Sequence, residues 1–256
     1  MTLLTQTSVL AWRSIKRTFQ QPAALVPSLL FPLLFMAVTT AGAGRIAEVP
    51  SFPARSYLDF YVAGALVQGT LFGGINAGTA LAVDIEEGFM RRLLLTPLVR
   101  PAVLVAAGAG AMVVGAVQGT VMLVGGVIGG ARVQTGVAGG VVVIGLAMLV
   151  ALAFSSLGAF VATWTGSSES TQIFFPFFFV MMIFSSYFMP RSFLVGWFKT
   201  IATYNPATYI IEAIRSPITT GWSFRPIAYG LLAIAGICVV GFGGAARALR
   251  TRFARS

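Results

Sequence analysis

Val133-Gln-Thr-Gly-Val-Ala-Gly-Gly-Val-Val-Val-Ile-Gly-Leu-Ala-Met-Leu-Val-Ala-Leu-Ala-Phe-Ser-Ser-Leu-Gly-Ala-Phe-Val-Ala-Thr-Trp-Thr-Gly-Ser-Ser168 runs for 36 residues without a charged side chain. A bilayer core needs about 20 helical residues. This run therefore holds one span, with the remainder at the interface or inside protein. On either side of it, the charges mark five more windows, 18–44, 60–83, 101–131, 170–190 and 226–246, each at least 21 residues long and mostly apolar. Six transmembrane helices are expected, near 25–43, 60–82, 103–128, 136–162, 171–189 and 227–246. Composition agrees: 9% of the 256 residues are charged and 57% are hydrophobic. Soluble domains carry ~25% charge, and a globule of this size could not cover such a core with so few charges. The expectation is an all-α integral membrane protein with one transmembrane domain over residues 1–256.

Cys238 is the only cysteine, and there is no histidine. This excludes an internal disulfide, a cysteine metal cluster, His-ligated metals and the Ser-His and Cys-His nucleophile pairs. No catalytic residue and no metal site are expected. The net charge of +10 comes from 15 Arg and 2 Lys. These residues flank apolar segments and form no separate patch, which suits anionic headgroups and not nucleic acid. With the amino terminus inside, the inner segments hold 10 Lys/Arg and the outer ones 7. The positive-inside rule then puts both termini in the cytoplasm, in the inner or plasma membrane of a bacterial cell. In residues 1–22, Leu4, Ala11, Trp12, Ile15 and Phe19 recur at helical spacing, and Arg13, Lys16 and Arg17 crowd the other faces. That reads as an amphipathic helix on the inner leaflet, or as a basic flank that only sets topology. Pro22 breaks the chain before the first span.

Asp84-Ile-Glu-Glu-Gly-Phe-Met-Arg-Arg-Leu-Leu-Leu-Thr-Pro97 separates the second and third windows. Acids precede bases, which complements a helix dipole, and Glu87 and Arg91 are four apart in the favourable order. Leu93, Leu94 and Leu95 offer an apolar knob before Thr96-Pro97 ends the helix. A short cytoplasmic helix of this kind suits docking into a partner's groove; the same charges would also serve as a topology anchor. Residues 190–225 are long and partly apolar. They suit re-entrant or interfacial helices at the outer face, with Trp197, Tyr204 and Tyr209 at headgroup level. Glu212 and Arg215, three apart on one helical face, are placed to pair; the other reading is that they only cap or anchor the helix.

Glu86-Glu87-Gly88 followed by Leu93-Leu94-Leu95-Thr96-Pro97 resembles the intracellular motif of type-2 ABC exporter permeases. Phe89-Met90 stands in place of that motif's Thr-Leu, and Arg91 stands where an acid is common. Asn205-Pro206-Ala207-Thr208-Tyr209-Ile-Ile-Glu212-Ala-Ile-Arg215 resembles the family's Asn-Pro-x-Thr-Tyr-x-x-Asp/Glu-Ala-x-Arg signature. Met189-Pro190-Arg191-Ser192, with Trp197 following, precedes it. Windows, loop and signature fall in the family's order over nearly the whole chain, most like the daunorubicin- and multidrug-resistance branch. The resemblance implies a cytoplasmic ABC ATPase partner in two copies that binds ATP and Mg. Its contact would be Glu86, Glu87, Gly88, Arg91, Arg92, Leu93 and Leu94 on a short coupling helix over 84–97, with the amino-terminal helix as the second candidate. It also implies a second permease, the same chain or a homologous sister, with spans two and five lining the centre. Asn205, Pro206, Thr208, Tyr209, Glu212 and Arg215 would belong to the closure of the outer end.

No charged residue falls within an expected span, which argues against an ion-coupled carrier and against a channel with a charged filter. The chain lacks Gly-x-x-x-x-Gly-Lys-Ser/Thr, the loop that cradles nucleotide phosphates, and neither Lys16 nor Lys199 has that context. No cofactor is expected in this chain, and the energy would come from the ATPase. A membrane scaffold without transport is the alternative, with a secondary transporter behind it. Phe174, Phe177, Phe178 and Met181 of span five, with Gln68, Thr70 and Asn76 of span two, are the expected contacts for a drug or lipid-like substrate. The other reading of the Phe residues is lipid-facing or packed. Gly69/Gly73, Gly74/Gly78, Gly115/Gly119, Gly125/Gly129 and Gly126/Gly130 let helices approach closely, as packing more than as a dimer motif.

Overall fold

The computed structural model describes residues 12, 13, 15, 16, 20, 22–88 and 100–253, and the chain there is all-α. Its helices are α1 Pro22–Ala43, α2 Tyr57–Glu86, α3 Arg100–Ile128, α4 Gly136–Thr165, α5 Ser168–Ile183, α6 Gly196–Tyr204, α7 Pro206–Thr219 and α8 Phe224–Phe253. Among the described residues, α1 to α4 and α8 are the helices long and apolar enough to cross a bilayer. α2 and α4 are apolar all round, as helices enclosed by protein and lipid must be. α6 and α7 are amphipathic, which suits the interfacial placement expected for them.

Two expected boundaries change. α2 extends beyond 60–82 at both ends and takes in Asp59, Asp84 and Glu86. The acids expected to open a separate coupling helix therefore close α2, at the end where a helix dipole disfavours them. Gly88, in the left-handed region at φ 69°, then turns the chain. The remainder of the expected coupling helix, with Arg91, Arg92, Leu93 and Leu94, lies outside the described residues, as does most of 1–22. The second change is the fifth span. In place of a helix over 171–189, α5 has 16 residues, roughly 24 Å, short of the ~30 Å hydrocarbon core. The chain leaves the helix because Ser185 donates back to the Met182 carbonyl and the Ser186 amide turns to Thr208 Oγ1 at 3.3 Å.

α2 is the centre of the molecule. Every residue from Tyr57 to Leu71 is buried, with α4 packed most extensively against it and α1, α3, α5 and α7 around it. α8 lies on α4 and α7. α1 leaves a row of Val26, Leu30, Leu34 and Val38 exposed, at the helical spacing of a lipid-facing stripe.

Glycine lets α2 and α4 cross in close contact. A Cβ on Gly78 would lie 2.6 Å from the Gly158 Cα, and one on Gly158 would lie 2.8 Å from the Gly74 carbonyl oxygen. The Gly74/Gly78 pair is thus consumed within the chain, where it seats α4 against α2 backbone to backbone. Gly115 does the same for α3, with its would-be Cβ 2.5 Å from the Ala151 Cβ.

Candidate functional site

The two stretches singled out by the sequence meet at opposite ends of α5. At the amino-terminal end, Ser167 caps the helix by accepting from the Ser170 amide at 3.3 Å. The Glu86 carboxylate, at the end of α2, accepts from the Ser168 amide at 2.7 Å and from Ser168 Oγ at 2.9 Å. An anion is favoured there because the first amides of α5 have no intrahelical acceptor and the dipole is positive. The unfavourable dipole at the end of α2 is offset by the favourable one at the start of α5. Asp84, two residues earlier, lies 3.5 Å from Arg13, so Arg13 of the amino-terminal segment meets the start of the 84–97 stretch at this end of α2.

Glu86→Ala is expected to loosen the start of α5 by about 1 kcal/mol, the usual worth of a capping acceptor. Hydrogen exchange of the 168–171 amides should then accelerate about fivefold, and exchange in α4 should not change. Unchanged protection at 168–171 would mean that Ser167 alone holds the turn.

At the other end, the Asn205 side chain makes three hydrogen bonds. Its Oδ1 accepts from the Ala207 amide at 2.9 Å, capping α7. Its Nδ2 donates to the Met181 carbonyl at 2.6 Å and to the Phe184 carbonyl at 2.8 Å, which satisfies acceptors freed where α5 ends. Pro206 occupies the first turn of α7, where its missing N–H costs nothing. Thr208 Oγ1 receives the Ser186 amide, and Tyr209 donates its hydroxyl to the Thr203 carbonyl at 2.7 Å. The Asn-Pro-x-Thr-Tyr run is therefore a joint between α5, α6 and α7.

The Glu212–Arg215 pair does not form. Glu212 instead takes a two-pronged contact from Arg191, with Nε 2.7 Å from Oε1 and Nη2 on Oε2. Arg215 is buried at 6% exposure. It donates to the Phe60 carbonyl at 3.1 Å and to the Ser186 carbonyl at 2.8 Å, and its guanidinium lies 3.5 Å above the Phe60 ring. Burial pulls its pKa down to about 9, and the Glu212 charge works against that fall, so Arg215 remains a cation at neutral pH. The sequence pointed at Arg191 through Met189-Pro190-Arg191-Ser192 but did not supply its partner.

The expected substrate residues do not share one surface. Gln68 and Thr70 are fully buried. Tyr61 donates to the Tyr187 hydroxyl at 2.5 Å, and Tyr187 donates to Gln68 Oε1 at 2.9 Å; Thr70 bonds the Val67 carbonyl of its own helix. Asn76, Phe174 and Met181 are half-buried. Phe178 packs against the core, whereas Phe177 is exposed with Ile173 and Val180 on one face of α5. Tyr61, Ser168 and Tyr187 were not expected as site residues. A tyrosine inside an apolar run was the available signal for the first and third, because a buried hydroxyl must find a partner.

Residues 5–218 match the family model described as ABC-2 type transporter. The chain is 28% identical over 239 residues to the daunorubicin resistance ABC transporter permease protein DrrB1 of Streptomyces coeruleorubidus, a match covering 90% of this chain and 80% of that protein. It is 26% identical over 225 residues to the transport permease ycf38 of Porphyra purpurea, covering 87% and 77%. The doxorubicin resistance ABC transporter permease protein DrrC of Mycobacterium tuberculosis is 24% identical over 240 residues, covering 92% and 84%. With α1 to α6 and all but the last residue of α7 inside the matched region, the chain belongs to the ABC-2 type transporter family as a membrane permease.

Proposed function

We propose that this chain is the transmembrane permease of an ATP-driven exporter. It pairs with a second permease, itself or a sister chain, and two copies of a cytoplasmic ABC ATPase supply the energy by binding ATP with Mg. The chain forms one transmembrane domain with both termini in the cytoplasm of a bacterial cell, and carries no catalytic group of its own. The observation that carries this reading is α5, gripped by Glu86 at one end and Asn205 at the other. Movement of an ATPase against the 84–97 loop would shift the end of α2. Glu86 passes that shift to α5, and Asn205 passes it on to α7 at the outer signature, which Arg191–Glu212 and Arg215 hold to the α5–α6 connection and to α2. Alternating access then follows from helices that rock as rigid bodies.

The cargo is a hydrophobic or amphipathic molecule, drug or lipid-like, taken from the cytoplasm or inner leaflet. The open apolar face Ile173, Phe177 and Val180, with exposed Trp164 at the end of α4, supports this. So do the resistance proteins among the relatives. Gln68 and Thr70 join the path only when α2 and α5 part.

The test is co-purification of the tagged chain with its ATPase, repeated with Glu87→Ala/Arg91→Ala/Leu94→Ala. A stoichiometric ATPase is expected with the wild type and its loss with the variant, together with loss of ATP-dependent efflux. An ATPase retained by the variant would move the contact off the loop. No ATPase under conditions that keep membrane complexes intact would overturn the exporter reading in favour of a scaffold.

A further inference from the structure

At the end of the molecule opposite Glu86, Asp59 sits in the first turn of α2 and is 5% exposed. Its Oδ1 accepts one hydrogen bond, from the Arg132 backbone amide at 2.8 Å. Asp59 opens on a cavity of about 190 Å³ that is lined also by Arg55, Arg132, Val133, Gln134, Ile218 and Thr219. Both arginine side chains are exposed. Among the described residues neither closes on Asp59 as an ion pair, so the cavity keeps one buried carboxylate and two guanidinium groups.

The walls are preformed. The turn between α3 and α4 is tied to the end of α7 by the Gln134 amide on the Ile218 carbonyl at 3.1 Å and by Thr135 Oγ1 on the Pro217 carbonyl at 2.8 Å. Depth follows from length. α2 has 30 residues, about 45 Å, which matches a hydrocarbon core plus both headgroup layers at ~40–45 Å. With Glu86 at one end, Asp59 falls in the opposite headgroup layer. Size narrows the occupant further, because sites for drug-sized molecules run to about 300–1,000 Å³. This cavity suits a headgroup whose acyl chains stay in the bilayer.

We propose that this cavity is a lipid site for a zwitterionic headgroup of the phosphoethanolamine class. Its primary ammonium faces Asp59, and its phosphate faces Arg55 and Arg132. The charges select the headgroup. A phosphocholine lipid offers the same phosphate but a quaternary ammonium with no N–H for the carboxylate. A phosphoglycerol lipid satisfies the arginines and leaves Asp59 without a cation. The site is separate from the cargo path and from the ATPase contact, and stands on the membrane placement of α2 alone.

The test uses the whole chain in detergent, with native mass spectrometry after equilibration with equal amounts of phosphatidylethanolamine, phosphatidylcholine and phosphatidylglycerol. The wild type is expected to retain phosphatidylethanolamine about tenfold over the other two, the scale of one charge-assisted hydrogen bond at a partly open site. Asp59→Asn keeps the acceptor for the Arg132 amide and removes the charge, so it should fold and lose that preference. Arg55→Ala/Arg132→Ala should lower retention of all three lipids, because each carries the phosphate. Equal retention of all three lipids by the wild type would overturn the proposal. Preference unchanged in Asp59→Asn would do the same, and would leave a phosphate site made by arginines only. Displacement of the lipid by soluble phosphoethanolamine at matched concentration would assign the cavity to a free zwitterion instead of a lipid.

Discussion

Asn205→Ala is expected to cost about 3 kcal/mol and to abolish transport with the ATPase still bound. The sum has two parts. Losing the cap on the Ala207 amide costs ~1 kcal/mol. Stripping the donor from the Met181 and Phe184 carbonyls adds about 1–3 kcal/mol, the range for leaving buried polar groups unsatisfied. Asn205→Asp separates them. The carboxylate still caps α7, but it now faces two carbonyl oxygens where an N–H₂ stood, so α5 is released while α7 keeps its start. Transport by Asn205→Asp should be as poor as by Asn205→Ala, with ATPase co-purification retained in both. Near-normal transport by Asn205→Asp would mean that Asn205 serves only as the cap of α7, and that force from Glu86 does not travel through α5. Thermal unfolding of the detergent-solubilised chain gives the stability part independently.

The second large effect is expected at the crossing of α2 and α4. Gly78→Ala puts a methyl 2.6 Å from the Gly158 Cα, and a backbone cannot swing away as a side chain can. Overpacking of this kind costs about 1–3 kcal/mol, and Gly78→Val should exceed that and prevent folding. The control is Gly145→Ala on α4, where a Cβ meets nothing within 4 Å. There the gain in helix propensity, up to ~1 kcal/mol, should show as a small stabilisation. Thermal melts of Gly78→Ala, Gly158→Ala and Gly145→Ala report the result. Comparable stability for all three would mean that α2 and α4 cross at a wider separation.

Much of the site is legible in the order of residues. Asn-Pro-x-Thr-Tyr stands out through its resemblance to the family signature, but that Asn205 caps α7 and reaches the end of α5 is decided by packing. Glu86 is named too, with a different role. Its spacing from the basic residues suggests a new helix, and nothing local says that α2 continues through it or that Ser168, in a distant segment, waits for its carboxylate. Glu212 and Arg215 show the same limit. A spacing of three places two side chains on one face of a helix, but that face meets both the Arg191 connection and α2, and the stronger partners lie in other segments.

Residue order alone sets the solvent and the chemical repertoire: long charge-free windows require lipid, no histidine and a single cysteine remove whole classes of chemistry, and two motifs in order point to the family. Those properties are additive along the chain, so counting recovers them. Packing settles the rest. It ends the helix of the fifth window after 16 residues, spends Gly74 and Gly78 inside the chain, and locks Gln68 to Tyr187. It also brings Asp59 to a cavity with Arg55 and Arg132. Each of these depends on which segments meet, and in an apolar chain hydrophobicity distinguishes poorly among partners. Small residues that permit contact and a few polar groups that must be satisfied make that choice.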